Sequence, residues 1–314
     1  MTTDFRSMRI TPFPSQLPNP TCTMRKLLVS TLTLFAAASL SADTTIYSTS
    51  DFSGWFLGTK PTVSSGDLLT TASTTNAALT YFKSAGQQYS MSIGETLTLT
   101  ANFTMASGTS ASSSRTFYFT LQNSGSTGLV NNQIGANLTS ISTNSVFGSY
   151  TGYGLLTNPG PNNASAGQFD YRSGSNTNIV GSTTPWVLFP TGTASSAIPS
   201  ATFSLDSLNN YKITYTITQV SATEMDFSYT LANTTTSTQL FTASAAATGL
   251  SGANLVTSFD TIALGVTAAQ TGSYKFLDVS LTSSIPEPST YALGAALAVV
   301  AYAAWRRRIA PRAV

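Results

Sequence analysis

The sequence contains no histidine and a single cysteine, Cys22, among its 314 residues. The missing histidine excludes a Ser-His catalytic pair, and one cysteine cannot form an intramolecular disulfide. Conventional zinc sites need several histidine or cysteine ligands, so they are excluded too. Scattered carboxylates such as Asp170 and Asp260 could join a calcium site with loop carbonyls, but no D-x-D-x-D-G loop is present. We therefore expect no cofactor and no required metal.

Charge is also scarce, since only 8% of the residues are charged while 41% are hydrophobic. Abundant aromatic residues and this hydrophobic fraction argue against disorder driven by charge. Between Asp43 and Ile285 there are six basic and ten acidic residues, a net charge of −4. Nucleic-acid binding needs clustered lysine and arginine, so we expect no nucleic-acid partner.

The N-terminal part has the three segments of a secretory signal peptide. They are a basic start, an apolar stretch and a set of small residues: Met24-Arg25-Lys26, Leu27 to Ala38, then Ser39, Ser41 and Ala42. The order predicts a signal peptide over residues 24–42, with cleavage after Ser41 or Ala42, rather than a buried helix. Its partners would be the Sec translocon and signal peptidase. Residues 1–23 are rich in proline and predict a disordered extension or an unused upstream start.

The C-terminal part combines two prolines, an apolar run and three arginines. Tyr291 to Trp305 is uncharged over 15 residues, which gives a helix of about 22 Å against a hydrocarbon core of about 30 Å. This predicts a short single transmembrane helix, with Tyr302 and Trp305 at the interface and the arginine cluster, Arg306, Arg307 and Arg308, on the cytoplasmic side. Because proline cannot enter a helix interior, Ile285 to Pro288 should be extended and accessible outside the membrane.

These last thirty residues resemble the PEP-CTERM sorting signal of Gram-negative bacteria. The resemblance rests on Pro286, Glu287 and Pro288, on the short apolar helix and on the terminal arginines, which occur in that order. It implies recognition by an exosortase, a membrane cysteine transpeptidase, with cleavage near Pro-Glu-Pro after a transient stay in the inner membrane. The body would then reach the cell surface or the extracellular matrix of a biofilm. The alternative is a plain single-span anchor in which Pro-Glu-Pro is a spacer.

Between the two ends, alternating polar and apolar residues predict an all-β body. From Thr96 to Met105, every second residue is apolar and the others are threonine or asparagine, which is the pattern of a half-buried strand. The same period occurs around Phe117 to Leu121, Tyr211 to Ile217, Met225 to Leu231 and Ile262 to Val266, with shorter strands near Tyr47, Leu79 to Phe82, Phe169 to Tyr171, Trp186 to Phe189, Phe203 and Phe276 to Leu281. About a dozen strands with polar outer faces predict one two-sheet jelly-roll sandwich over residues 43–285, followed by the sorting signal over 286–314.

Several short pieces of the body resemble the concanavalin A-like or laminin G-like jelly rolls. They are Asp51-Phe52-Ser53-Gly54-Trp55, Gly94-Glu95-Thr96-Leu97, Arg115-Thr116-Phe117-Tyr118-Phe119, Leu121-Gln122-Asn123-Ser124, Gly152-Tyr153-Gly154, Tyr211-Lys212-Ile213 and Phe259-Asp260. The resemblance implies a fold on which many relatives bind glycans and some are retaining glycosidases. Fold alone does not decide between these functions.

A catalytic function needs more than this sequence offers. Glu224 and Asp226 resemble the start of the Glu-x-Asp-x-Glu motif of laminarinase-type hydrolases, but Ser228 or Tyr229 stands where the second glutamate belongs. A retaining glycosidase needs two carboxyl groups about 5 Å apart. The general acid is therefore missing, and the pair is interpreted as the solvated end of a hairpin.

Three function classes remain open. The first is an exported, non-catalytic surface or matrix protein. The second is a lectin-like module that binds an exopolysaccharide or another glycan, with Tyr150, Tyr153, Tyr171 and Trp186 as candidate contacts, although each is more often a core residue. The third, a glycoside hydrolase, is disfavoured because the acid and base pair is missing, so we expect no enzymatic activity.

Overall fold

A computed structural model describes most of the body and a few residues of the tail. The described residues are 41–58, 61–71, 76–84, 86–105, 116–125, 145–157, 167–174, 179, 186–188, 197–198, 205–267, 273–286, 298–299, 301–302 and 305. The chain divides into a compact unit, Ser41–Pro286, and a second unit made of Met1–Leu40 and Glu287–Val314. In the second unit the five described residues are helical. No helix in the described part of the chain is long and apolar enough to cross a membrane.

Several predicted segments lie outside the described residues. They are the extension over 1–23, the signal peptide apart from Ser41 and Ala42, Glu287, Pro288, and the arginine cluster. The predicted strand near Phe203 also lies outside them.

The compact unit consists of antiparallel strands. In the described residues they are β1 (Ser41–Thr49), β2 (Phe56–Leu57), β3 (Thr62–Ser64), β4 (Asp67–Thr71), β5 (Asn76–Tyr81), β6 (Tyr89–Ser90), β7 (Thr96–Met105), β8 (Thr116–Asn123), β9 (Thr151–Thr157), β10 (Gly167–Ser173), β11 (Trp186–Leu188), β12 (Ala197–Ile198), β13 (Asn210–Ser221), β14 (Glu224–Asn233), β15 (Thr238–Ala247), β16 (Ser258–Phe259), β17 (Thr261–Thr267) and β18 (Ser273–Pro286). Within the described ranges, two short 3-10 helices, Ser145–Ser149 and Gly252–Asn254, lie in the connections. The prediction of an all-β body is therefore confirmed.

These strands form two large sheets and one small one. Sheet A has the order β15-β14-β13-β7-β18-β4-β3, with β1 also paired to β18. Sheet B has the order β11-β10-β9-β8-β17-β5-β2, with β12 also paired to β10. The remaining pair is β16-β6. The two large sheets enclose a common hydrophobic core, which makes the unit a β-sandwich.

Sheet A follows the predicted alternation closely. Along β7, the burial of successive residues alternates through all ten positions from Thr96 to Met105, as the sequence pattern predicts for a strand with one face in the core. The neighbouring β13 has the same alternation, with Tyr211, Ile213 and Tyr215 buried. The outer face of sheet A carries threonine, serine and a few charged residues, so its predicted polar character is confirmed.

The centre of the sandwich is an aromatic cluster around Phe103. Its ring lies 5.4 Å from Phe117, 5.6 Å from Tyr211, and 6.0 Å from both Tyr274 and Phe276, measured between centroids. Aromatic pairs at this spacing contribute beyond the area that they bury. Because Phe117 belongs to sheet B and the others to sheet A, this cluster ties the two sheets together.

The outer face of sheet B differs from the prediction, which gave both sheets polar outer faces. Tyr118, Leu156 and Trp186 on that face belong to a second buried cluster. Phe147, Tyr150 and Ile179 complete this cluster from outside the sheet strands and are themselves fully buried. Sheet B is thus covered on both faces, because connecting segments fold over it.

The two ends of the compact unit lie side by side. In the pairing of β1 with β18, Ser41 is opposite Pro286 and Ala42 is opposite Ile285. The predicted cleavage site after Ser41 or Ala42 therefore lies at the start of β1. Of the segment predicted to be extended, Ile285 and Pro286 form the last two residues of β18.

Candidate functional site

The acidic pair that resembles a hydrolase motif lies at the end of a hairpin. Glu224 is the first residue of β14 and stands opposite Ser221 of β13. Asp226 follows it on the outer face of sheet A, where it is exposed, and Thr218 and Ala246 flank it on the neighbouring strands. The interpretation as the end of a hairpin on a solvated face agrees with this position.

The four candidate glycan contacts do not lie on one surface. Tyr153 and Tyr171 stand opposite each other on β9 and β10 and belong to the core between the sheets. The Tyr153 hydroxyl donates to Asn254 O at 3.0 Å and accepts from Val256 N at 2.8 Å. Tyr150 and Trp186 belong to the cluster on the other face of sheet B. All four side chains are buried, so glycan contact by these rings stays a prediction.

A group of polar side chains lies beside Trp186 on this second face of sheet B. We call Thr120, Gln122, Asp170 and Trp186 the Asp170 cluster. All four are buried. The strand register brings them together, because Gln122, Gly152, Arg172 and Trp186 form one row across β8 to β11, and Thr120, Gly154 and Asp170 form the next.

Two glycines of β9 form the floor of the cluster. A Cβ added to Gly154 would lie 2.7 Å from Cζ3 of Trp186 and 3.1 Å from Cγ2 of Thr120. A Cβ added to Gly152 would meet the Leu121 carbonyl oxygen and lie 2.8 Å from the Cα of Gln122. Both positions therefore require glycine for close packing. The glycine at 154 lets the indole lie directly on the strand.

Hydrogen bonds satisfy only part of the cluster. Gln122 Nε2 donates to Thr120 Oγ1 at 2.9 Å, and Thr120 Oγ1 donates to Ala263 O at 3.1 Å. Asp170 Oδ2 accepts from Gln168 Nε2 at 2.7 Å. Three atoms, Asp170 Oδ1, Gln122 Oε1 and Trp186 Nε1, have no hydrogen-bond partner within the described part of the chain. A buried polar atom without a partner costs about 1–3 kcal/mol, so these three atoms need an explanation.

Burial changes the acidity of the carboxyl group. Removal from water raises the pKa of Asp170 to about 7, and the hydrogen bond from Gln168 opposes the rise. Below that pH the carboxyl group is protonated and can donate a hydrogen bond; above it the group is an acceptor only.

Arg172 joins the cluster to the segment that covers it. Its Nε donates to Tyr150 O at 3.0 Å, and its Nη2 donates to Phe147 O. The guanidinium group is fully buried, and this burial lowers the pKa of Arg172 to about 10. Because both acceptors belong to the 3-10 helix region after Ser145, Arg172 holds this cover over sheet B.

No group of three metal-ligating side chains occurs among the residues that the structure describes. Asp170 and Asp260, considered from the sequence as calcium ligands, lie in different surroundings. Asp260 accepts from Ser124 N at 2.9 Å, from Thr261 Oγ1 at 2.7 Å and from the Ser124 hydroxyl. Those bonds stabilise the start of β17, whereas one oxygen of Asp170 has no partner in the described ranges of the chain.

Sequence reasoning found part of this cluster. Trp186 was predicted as a glycan contact and Asp170 was considered only as a metal ligand, while Thr120, Gln122 and Arg172 were missed. One usable signal was the Gly152-Tyr153-Gly154 segment, because two glycines flanking a buried tyrosine in a strand indicate a close approach on one face.

Comparison with known proteins gives similar folds only. No family model matches the sequence, and no curated protein matches it. Solved structures are similar at low sequence identity. The basic winged bean lectin with Tn-antigen is 12% identical with a TM-score of 0.42, and the match covers 78% of this chain and 99% of the lectin. The Lotus tetragonolobus seed lectin is 10% identical with a TM-score of 0.41, and the match covers 79% of this chain and 100% of the lectin. The potassium-bound Emp46p carbohydrate recognition domain is 15% identical with a TM-score of 0.39, and the match covers 73% of this chain and 88% of that domain. Since these TM-scores are below 0.5, the architecture stated above rests on the strand pairings themselves.

Proposed function

We propose that this chain is an exported, non-catalytic surface protein whose body, a concanavalin A-like sandwich, binds a glycan at the Asp170 cluster. The observation that carries the proposal is a set of three buried polar atoms in this cluster that have no hydrogen-bond partner among the residues that the structure describes. Two of these atoms accept hydrogen bonds: Gln122 Oε1, and Asp170 Oδ1 when the carboxyl group is ionised. The third atom, Trp186 Nε1, donates a hydrogen bond.

A saccharide suits this combination of atoms. Each sugar hydroxyl both donates and accepts, so neighbouring hydroxyls of one ring can satisfy the two acceptors and the indole N–H. The Trp186 ring adds an apolar surface for the C–H face of the sugar. A metal ion could use Asp170 and Gln122 but would leave the indole N–H without a partner, because that group only donates.

The buried position of the cluster sets a condition on binding. Phe147, Tyr150 and Ile179 pack over the second face of sheet B, so a sugar reaches Asp170 only when this cover moves aside. Movement before binding lowers the association rate. Ordered water would satisfy the same atoms without any movement, and saturable binding distinguishes the two occupants.

The proposal predicts saturable binding of the protein to at least one class of neutral polysaccharide on a glycan array. Purified full-length protein should bind with an affinity that is unaffected by salt, because screening weakens charge pairs and the cluster would recognise hydroxyls. A purely structural surface protein would show no saturable signal on any glycan, and that result would contradict the proposal.

The route to the surface is the second part of the proposal. The signal peptide over 24–42, the motif Pro286, Glu287 and Pro288, the apolar run and Arg306, Arg307 and Arg308 support export, transient anchoring in the inner membrane and processing by an exosortase. A hydrolase is not proposed, because Glu224 and Asp226 lie together at a hairpin end without the second acid that retaining hydrolysis needs.

The sorting proposal predicts two masses. Wild-type protein from its native envelope should lack the segment from Tyr291 to Arg308, whereas the double substitution Pro286→Ala with Glu287→Ala should leave the full precursor in the membrane. Intact-mass measurement checks both. Substituting Arg306, Arg307 and Arg308 by serine is a separate variant that should weaken membrane retention, since it removes the positive-inside signal. Wild-type chains that all keep the three arginines would contradict sorting and favour a plain anchor.

A further inference from the structure

The compact unit exposes a set of large hydrophobic side chains at one end of sheet A. Ile93 is 61% exposed, Ile285 is 44% exposed and Val220 is 38% exposed. In the described part of this unit, the other exposed large hydrophobic residue is Leu208, at 89%. We call Ile93, Val220 and Ile285 the apolar end.

Strand pairing places these three residues close together. Gly94 N donates to Gln219 O at 2.6 Å, and Gln219 N donates to Glu95 O at 3.0 Å, so Val220 lies beside the turn that contains Ile93. On the other side of β7, Ser284 stands opposite Thr96, and Ile285 follows it. The three side chains thus belong to three adjacent strands or their ends, a width of about 10 Å at the usual strand spacing.

Both termini of the compact unit leave from this same end. Ile285 is opposite Ala42, and Pro286 is opposite Ser41. The chain before Ser41 contains the apolar stretch Leu27 to Ala38, and the chain after Pro286 reaches the apolar run at Tyr291 within five residues. Five extended residues span at most about 18 Å, so chain length sets this upper limit on the distance from Pro286 to the start of that run.

We propose that the apolar end contacts the lipid surface while the tail is anchored, with the side chains of Ile93, Val220 and Ile285 in contact with the bilayer. This inference rests on the proposed membrane anchoring of residues 291–305. Isolated exposed apolar residues are common on soluble proteins, but here three of them cluster where the chain must approach the bilayer. Burying their side chains in the interfacial region removes apolar surface from water and fixes the orientation of the body.

Leu208 provides a matched control at the other end of the same strand. It precedes the start of β13 at Asn210, while Val220 lies near the end of that strand. Ten residues of strand separate Asn210 from Val220, a distance of about 33 Å. If the apolar end rests on lipid, Leu208 therefore points into water despite its greater exposure.

The test uses the full chain with Cys22→Ser and one introduced cysteine, either Ile93→Cys or Leu208→Cys, labelled with a polarity-sensitive fluorophore. Each protein is reconstituted into phosphatidylcholine liposomes that carry a quencher on some head groups. We expect a blue shift and loss of most emission for the label at 93, and neither change for the label at 208. Both sites are exposed, so near-UV circular dichroism should show the same fold for both proteins.

Each outcome decides a specific point. If the protein floats with the liposomes but the labels at 93 and 208 are quenched equally, the contact through the apolar end is wrong. The same holds if neither label is quenched. In both cases the anchoring of the tail still stands. Protein that does not float with the liposomes overturns the anchoring and this inference with it. A label at Val220→Cys that behaves like the label at 208 also overturns the inference, because Val220 belongs to the same end as Ile93.

Discussion

Gly152→Ala is expected to destabilise the body by about 3 kcal/mol, at the upper end of the usual cost of overpacking. The added Cβ would meet the Leu121 carbonyl oxygen and lie 2.8 Å from the Cα of Gln122. Both neighbours are backbone atoms of the paired strand β8, so no flexible side chain can move away. For a domain of this size, such a loss lowers Tm by roughly 6–12 °C, which thermal unfolding can measure.

Gly148→Ala is the matched control for this substitution. Gly148 lies in the 3-10 helix that covers the same face of sheet B, and nothing lies within 4 Å of an added Cβ. Its Tm should therefore stay close to that of the wild type. Equal stability of the Gly152→Ala protein and this control would show that β8 and β9 do not pack as described.

The second large effect concerns the dependence of stability on pH. Burial raises the pKa of Asp170 from 3.8 in the unfolded chain to about 7 in the folded protein. Between these values the folded state binds the proton more tightly, so the free energy of unfolding falls as pH rises from about 4 to about 7. Above pH 7 the ionised group costs the folded state on the order of 4 kcal/mol. Below pH 4 both states are protonated and the cost disappears.

Asp170→Asn removes the titrating group while keeping the shape of the side chain. We expect this protein to be more stable than the wild type at pH 8, and its denaturant midpoint to change less between pH 4 and pH 8. Asp226→Asn serves as control because Asp226 is exposed on the outer face of sheet A, so the wild-type pH profile should persist. Parallel profiles for the wild type and Asp170→Asn would refute the burial of an ionisable Asp170.

Strands with one face in the core were predictable from the sequence. In β7, β13 and β14, apolar residues alternate with mainly polar ones, most often threonine, over most of each strand, because one face packs inside and the other meets water. The missed strands lack this contrast. β15 reads Thr-Gln-Leu-Phe-Thr-Ala-Ser-Ala-Ala-Ala, where alanine and serine alternate with little difference in polarity. β9 was also not predicted, because Gly152 and Gly154 break the alternation of polar and apolar side chains, although the close approach of Trp186 and β8 requires these glycines.

The Asp170 cluster was harder to predict than the fold because it depends on register. Gln122 and Asp170 are 48 positions apart in the sequence and belong to strands with β9 between them, so no local pattern relates them. Buried polar residues in a strand with alternating polarity, such as Thr120 and Gln122 in β8, look like solvated positions. Among the described residues, Phe147, Tyr150 and Ile179 cover that outer face and make it a second interior. The same cover explains why Tyr150 and Trp186, named from the sequence as candidate glycan contacts, are buried.

The most direct test of the proposed function is the affinity of three full-length proteins for a glycan identified on the array, measured by calorimetry at pH 8, where Asp170 is ionised. We predict that Asp170→Asn weakens binding by about 10- to 100-fold, the loss of a hydrogen bond to a charged acceptor. Glu224→Gln, which removes a carboxylate from the outer face of sheet A, should bind like the wild type. Equal affinities for all three proteins, or weaker binding only for Glu224→Gln, would contradict glycan binding at the Asp170 cluster.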